Sequence, residues 1–226
     1  MIVNHSQKKI NIVVSCGCSW VAGIGCYNKH YNRLSKLFAT YFKAKDINLA
    51  KSGGSNGRTE RKIVDWIVKN KDKLDETFFL IGITEFHRYE VWYKEYGRRD
   101  DDPYSTEGFD LKMGIEATLR SIILLVSLFE KYNCKYLIFD SIDDIKVLVE
   151  KNSCDYFDEV FSNKNYYTKQ SWMDFCSPRG KGLFSAEDNR LTKIDGGDWR
   201  HPSIKSNKLW YETLLRYYED LDVSKS

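Results

Sequence analysis

The segment Val13 to Gly25, "VVSCGCSWVAGIG", gathers more reactive groups than any other part of the chain. It holds Cys16, Cys18 and Ser19 among Gly17, Gly23 and Gly25, and Cys26 follows directly. Three chemistries are open to it. Cysteines can hold a metal, but Cys16, Cys18 and Cys26 lack the paired C-x-x-C spacing of common zinc sites, and no histidine-rich segment partners them. A glycine-rich turn can cradle phosphate, but no Lys-Ser or Lys-Thr follows the last glycine, and the order G-x-G-x-x-G does not hold. The third is a nucleophile, Ser19 or the thiol of Cys18. A serine hydroxyl needs a base within hydrogen-bond reach, and the base needs an orienting partner. The chain has four histidines, His5, His30, His87 and His201. Only His201, in "GGDWRHPSIKSNKLW", has a carboxylate three residues before it, Asp198, on a glycine-loosened turn that precedes a helical pattern.

Residues so far apart must be brought together by the elements between them. "KINIVVSCG" is a short β-branched apolar run that stops at glycine, a strand. "HYNRLSKLFATYFKA" repeats Leu34, Leu37, Phe38, Tyr41 and Phe42 at helical spacing. "DINLA" is a short strand, and the loop "KSGGSNGR" leads into the helix "TERKIVDWIVKN". "ETFFLIGIT" and "CKYLIFDS" are continuous apolar runs, the kind buried on both faces of a parallel sheet. Between them lies the helix "GIEATLRSIILLVSLFEKYN", and "SNKLWYETLLRYYEDL" closes the pattern. Strands alternating with helices predict an α/β domain with a parallel sheet of about five strands. Residues 1–226 read as one domain, with irregular insertions near 88–112 and 141–195. Both insertions follow sheet strands and reach over the carboxyl edge, where open α/β sheets bind ligands.

Composition narrows the class. The chain has 226 residues, 42% hydrophobic and 30% charged, as in an ordinary globular protein. The net charge of +3 is too small to point to nucleic acid. No apolar run approaches the ~20 residues of a membrane helix, and the N-terminus has no signal-peptide layout. The expectation is a cytoplasmic protein with free thiols and no membrane partner. Oligomeric state is not legible. Aromatics reach 15%. Trp20, Trp92, Tyr93, Trp172 and Trp199 lie near the expected rim, where they either stack a sugar or pack into the core. Arg58, Arg61, Arg88 and His87 follow the second and third strands, as solvated residues or as contacts to a sugar or an anion.

Four short blocks recur in a telling order. G-x-S-x-x-x-G follows the first strand, "NLAKSGGSN" the second, "GITE" the third, and D-x-x-H precedes the last helix. This order resembles the SGNH (GDSL-type) hydrolase family from about Ile10 to Leu215. The spare, divergent blocks are similar to those of bacterial-virus members. The resemblance implies a three-layer α/β/α sandwich, flavodoxin-like, and a serine hydrolase that cleaves a carboxylic ester through an acyl-enzyme, with no metal or organic cofactor. By position it implies Ser19 as nucleophile, His201 as general base and Asp198 as the acid that orients the imidazole. It implies an oxyanion hole from the backbone N–H groups of Ser19 and Gly53, with a third donor at position 84. Two positions depart from the family pattern: Cys18 stands where an acid is usual, and Thr84 where an asparagine is usual. Either the Thr84 hydroxyl or the Asn56 amide is expected to complete the hole. The expected substrate is a small-molecule or carbohydrate ester with a short acyl group, such as O-acetyl on a sugar. The alternatives are a catalytically weak glycan- or protein-binding module on the same fold, and an acyltransferase.

Overall fold

A computed structural model describes residues 9–26, 28–88, 90–93, 97–100, 110–152, 154–177, 183–184 and 201–223. Its centre is a sheet of five parallel strands: β1 (Ile12–Cys16), β2 (Lys45–Asn48), β3 (Thr77–Ile83), β6 (Lys135–Asp140) and β7 (Tyr166–Tyr167), in the order β2-β1-β3-β6-β7. Two further strands, β4 (Glu90–Tyr93) and β5 (Gly97–Asp100), pair antiparallel within the first expected insertion.

The three central strands are buried on both faces, and the side-chain period of two sorts them into two layers. Ile12, Val14 and Cys16 of β1, Phe79, Ile81 and Ile83 of β3, and Tyr136 and Ile138 of β6 face one core. That core is closed by α4 (Asn56–Lys69) and α5 (Leu111–Lys131), through Ile63, Trp66, Ile67, Leu119, Ile122 and Phe129. Val13, Phe78, Leu80, Leu137 and Phe139 face the opposite core. It is closed by α1 (Ser19–Ala22), α3 (Leu34–Phe42), α8 (Trp172–Cys176) and α9 (Ile204–Val223). The result is the expected α/β/α sandwich.

Two local readings change, and one open alternative is decided. The helix expected across 30–44 is broken in two: α2 (Lys29–Asn32) stops at Arg33, whose backbone is extended at φ −70° and ψ 151°. The Arg33 guanidinium there donates to Asp46 Oδ2 at 2.8 and 3.0 Å, joining the break to β2. The 141–195 stretch is more regular than it reads, since it contributes α6 (Ile145–Asn152), α7 (Phe157–Phe161), β7 and α8. For Trp20 and Trp172 the structure decides between the two alternatives in favour of the core. They are 1% and 0% exposed, and their rings meet edge-on at 5.4 Å.

Candidate active site

The chain leaves β1 at Gly17, whose φ of 151° suits glycine. A Cβ there would sit 2.7 Å from both the Gly82 carbonyl oxygen and Val21 Cγ2. The backbone therefore runs hard against the end of β3 before turning. Cys18, extended, starts α1, and Ser19 is its first residue. A helix cannot pair the N–H groups of its first turn internally, so the Ser19 N–H has no partner within α1. Gly23, at φ 80°, stops the helix and donates to Trp20 C=O. Ser19 keeps 6% of its surface, whereas Cys18 is 0% exposed. Cys16 is sealed as well, and burial pushes its thiol pKa up. Among the described residues, no group of three His, Cys, Asp or Glu side chains is arranged to hold a metal.

The second block is stitched to the first. Leu49 N–H donates to Ser15 C=O at 2.8 Å and Lys51 N–H to Gly17 C=O at 3.2 Å, which carries the strand pairing past the strand ends. Asn48, whose side chain donates to Val21 C=O at 2.8 Å and to Ser35 Oγ at 3.1 Å, fixes the end of β2 against α1. The loop then turns at Gly53, φ 72°, a left-handed conformation that glycine takes without a Cβ penalty. Gly54 N–H closes the turn on Lys51 C=O. Arg58 is buried, and its Nη1 donates to Leu49 C=O at 2.9 Å, so it braces this loop from below.

Asn56 differs from its expected role. It is not a loop residue but the first residue of α4, which Ser55 caps by accepting from Arg58 N–H. Its side-chain amide pairs with the backbone of Thr84 in both directions: Thr84 N–H donates to Oδ1 at 2.9 Å, and Nδ2 donates to Thr84 C=O at 3.1 Å. Nδ2 also donates to Thr118 Oγ1 at 3.2 Å. Both amide hydrogens are thus engaged inside the protein, and neither is offered to a substrate. Asn56 clamps the third block to the second. Thr84 is 0% exposed, and its hydroxyl finds no hydrogen-bond partner among the described residues.

The last block approaches from α9. Ser203 Oγ accepts from Ser206 N–H at 3.1 Å and caps the helix, and Pro202 lies before its first turn. Pro202 forms an isolated bridge with Phe184, and Ser203 N–H donates to Leu183 C=O. Phe184 in turn meets Trp20 edge-on at 6.5 Å. A half-buried His201 is therefore held beside the segment whose neighbour carries Ser19. Asp198 and Trp199 lie outside the described residues, as do the side chains of Trp92 and Tyr93. Sequence reasoning missed Asn48 as a brace and Asn56 as a clamp. The available signal was an asparagine at each end of a glycine loop, a pattern that equally fits turn residues.

No protein-family model matches the sequence, and no curated protein matches it. Solved structures do. The acetyl xylan esterase Est2A from the rumen bacterium Butyrivibrio proteoclasticus superimposes with a TM-score of 0.54 over 93% of this chain, at 11% identity. TesA does so with a TM-score of 0.53 over 93% of this chain and 99% of its own, at 9% identity. The fold is theirs. It is the three-layer α/β/α arrangement that the order of the four blocks implied. The chain spans 64% of the length of Est2A.

Proposed function

We propose that the protein is a serine esterase. His201 takes the proton of Ser19 Oγ as that oxygen attacks an ester carbonyl, and Asp198 holds the imidazole in the tautomer this requires. The tetrahedral oxyanion accepts hydrogen bonds from the Ser19 and Gly53 N–H groups, with the Thr84 hydroxyl as the third donor. Fixed donors of this kind stabilise the transition state by about 3 kcal/mol each. His201 then protonates the departing alcohol, and water releases the acid from the acyl-enzyme. Asn56 is a positioning residue in this scheme, because it holds the backbone of Thr84. The observation that carries the reading is the strand–turn–helix junction that makes Ser19 the first residue of α1, on the same sheet edge as the Gly53 turn.

The substrate is read as a short acyl ester, with O-acetyl on a carbohydrate favoured. The Est2A likeness supports an acetyl ester. A second reading, a binding module without turnover, draws on the engaged Asn56 amide and the enclosed Thr84 hydroxyl, which leave the hole to the Ser19 and Gly53 N–H groups. A fluorophosphonate probe separates the two. The wild type is expected to be labelled and to hydrolyse p-nitrophenyl acetate, with Ser19→Ala slowing turnover at least ~10⁴-fold. Labelling that survives in Ser19→Ala would remove Ser19 as nucleophile. Absence of labelling and of turnover across acyl chain lengths would favour the binding module.

A further inference from the structure

The loop that follows Ser19 ends on a thiol, Cys26, that the esterase scheme leaves unused. Ile24 N–H donates to Ser19 C=O at 3.0 Å and Cys26 N–H to Gly23 C=O at 3.2 Å, so the loop is folded back on α1. Cys26 is half-buried, and its sulfur works in two directions. It donates to Asn32 C=O at 3.9 Å and accepts from Asn207 Nδ2 at 3.0 Å. The second of these bonds joins residues 181 apart in the chain. Asn207 lies in the first turn of α9. Its backbone N–H and its Nδ2 both donate to Ser203 C=O, each at 3.0 Å. Ser203 caps that helix and follows His201 by two residues. Asn207 is fully buried, and its Oδ1 has no partner, so among the described residues the two Nδ2 bonds alone orient the amide. On the same turn, Trp172 Nε1–H of α8 donates to Ser206 Oγ at 2.9 Å.

We propose that Cys26 and Asn207 are positioning residues that hold His201 in register with Ser19. Their hydrogen bond is a direct polar link between the loop after the nucleophile and the turn after the base. The inference rests on the esterase reading for the roles of those two residues. A second link between the same parts is apolar: Trp20 meets Phe184, and Phe184 bridges to Pro202. Apolar contact is non-directional, whereas a hydrogen bond weakens steeply away from its preferred angle. The rings therefore set how close the two parts lie, and the Asn207–Cys26 bond sets how the first turn of α9 is rotated. Losing the sulfur strands a buried N–H, and the turn must shift to answer it. His201 is attached to that turn and moves with it. A displacement of about 1 Å at a remote residue can cost a reaction roughly 100-fold. The sulfur suits this task because it is both donor and acceptor, so one side chain ties α2 and α9 to the nucleophile loop.

Two measurements on the full chain test the link. The first is kcat and KM for p-nitrophenyl acetate in Cys26→Ala, Cys26→Ser, Asn207→Leu and the double variant Cys26→Ala/Asn207→Leu. Cys26→Ala and Asn207→Leu should each lower kcat about tenfold or more, with KM within about twofold. The double variant should lose no more than the worse single one, since both remove the same bond. Cys26→Ser keeps an acceptor for Nδ2 and should recover most of the loss. The second is the imidazole proton spectrum of His201, assigned by its disappearance in His201→Gln. Its signals should shift in Cys26→Ala and Asn207→Leu and return toward the wild-type positions in Cys26→Ser. Unchanged kcat, a loss confined to KM, additive losses, or no rescue by serine would overturn the link. So would His201 signals that ignore both substitutions. Should the buried Asn207→Leu variant not fold, the half-exposed Cys26 pair of variants still decides. Wild-type protein that hydrolyses no ester, with His201 signals that follow Cys26 as expected, would sink the esterase reading and leave the link standing.

Discussion

Two neighbouring stretches of one sheet edge are built on opposite terms. At the β2–β1–β3 edge, Asn48, Asn56 and Arg58 hold three loops through hydrogen bonds to backbone atoms. At the β3–β6 edge, Thr84, Ser141, Asp143 and Arg88 keep buried polar atoms without partners among the described residues. The first stretch is a frame whose groups answer one another. The second keeps groups that the described residues do not answer. A site needs both, since a frame without unsatisfied groups recognises nothing, and unsatisfied groups without a frame would collapse onto each other.

That contrast can be broken at several points. The largest effect is expected at the glycine that joins the two stretches. A Cβ at Gly82 would lie 2.4 Å from Val21 Cγ2, 2.5 Å from Ser141 Oγ and 3.1 Å from Phe139 Cζ. Gly82→Ala should destabilise by about 3 kcal/mol, read as a lower denaturation midpoint at unchanged slope. Next comes the frame itself. Asn56→Ala strands the Thr84 N–H and C=O and the Thr118 hydroxyl, and should lose about 2–3 kcal/mol in the same measurement. Gly53→Ala puts a Cβ on a left-handed residue and should lose about 1 kcal/mol. The smallest effect marks the other side of the comparison. Ser141→Ala removes a hydroxyl that bonds nothing described, so stability should stay within about 0.5 kcal/mol. A loss at Ser141 as large as at Asn56 would erase the distinction between the two stretches.

The fold was legible where burial is continuous. β1, β3 and β6 announce themselves as unbroken apolar runs because both of their faces are covered. α5 and α9 do so by their length and period. The fifth strand, Tyr166–Tyr167, has two residues, too few to show any alternation. α7 and α8 have five residues each, little more than one turn, so no stripe could mark them in the 141–195 stretch. Trp20 and Trp172 stood open between rim and core, because type and position in the chain suited both. Their place in the core depends on α8 and α9 closing over the sheet, as Trp172 Nε1–H donating to Ser206 Oγ at 2.9 Å records.

The sequence by itself determined the layered fold and the order of the four blocks. These follow from local pattern: apolar runs, glycines after strands, and a serine, an aspartate and a histidine at set places. Only the tertiary structure decided what the polar residues around those blocks do. Asn56 read equally well as an oxyanion donor, and it became a clamp because Thr84 lies 28 residues away in the chain yet within 3 Å in space. Hydrogen-bond partners of that kind are set by which strand ends meet, and no single stretch of sequence carries that information.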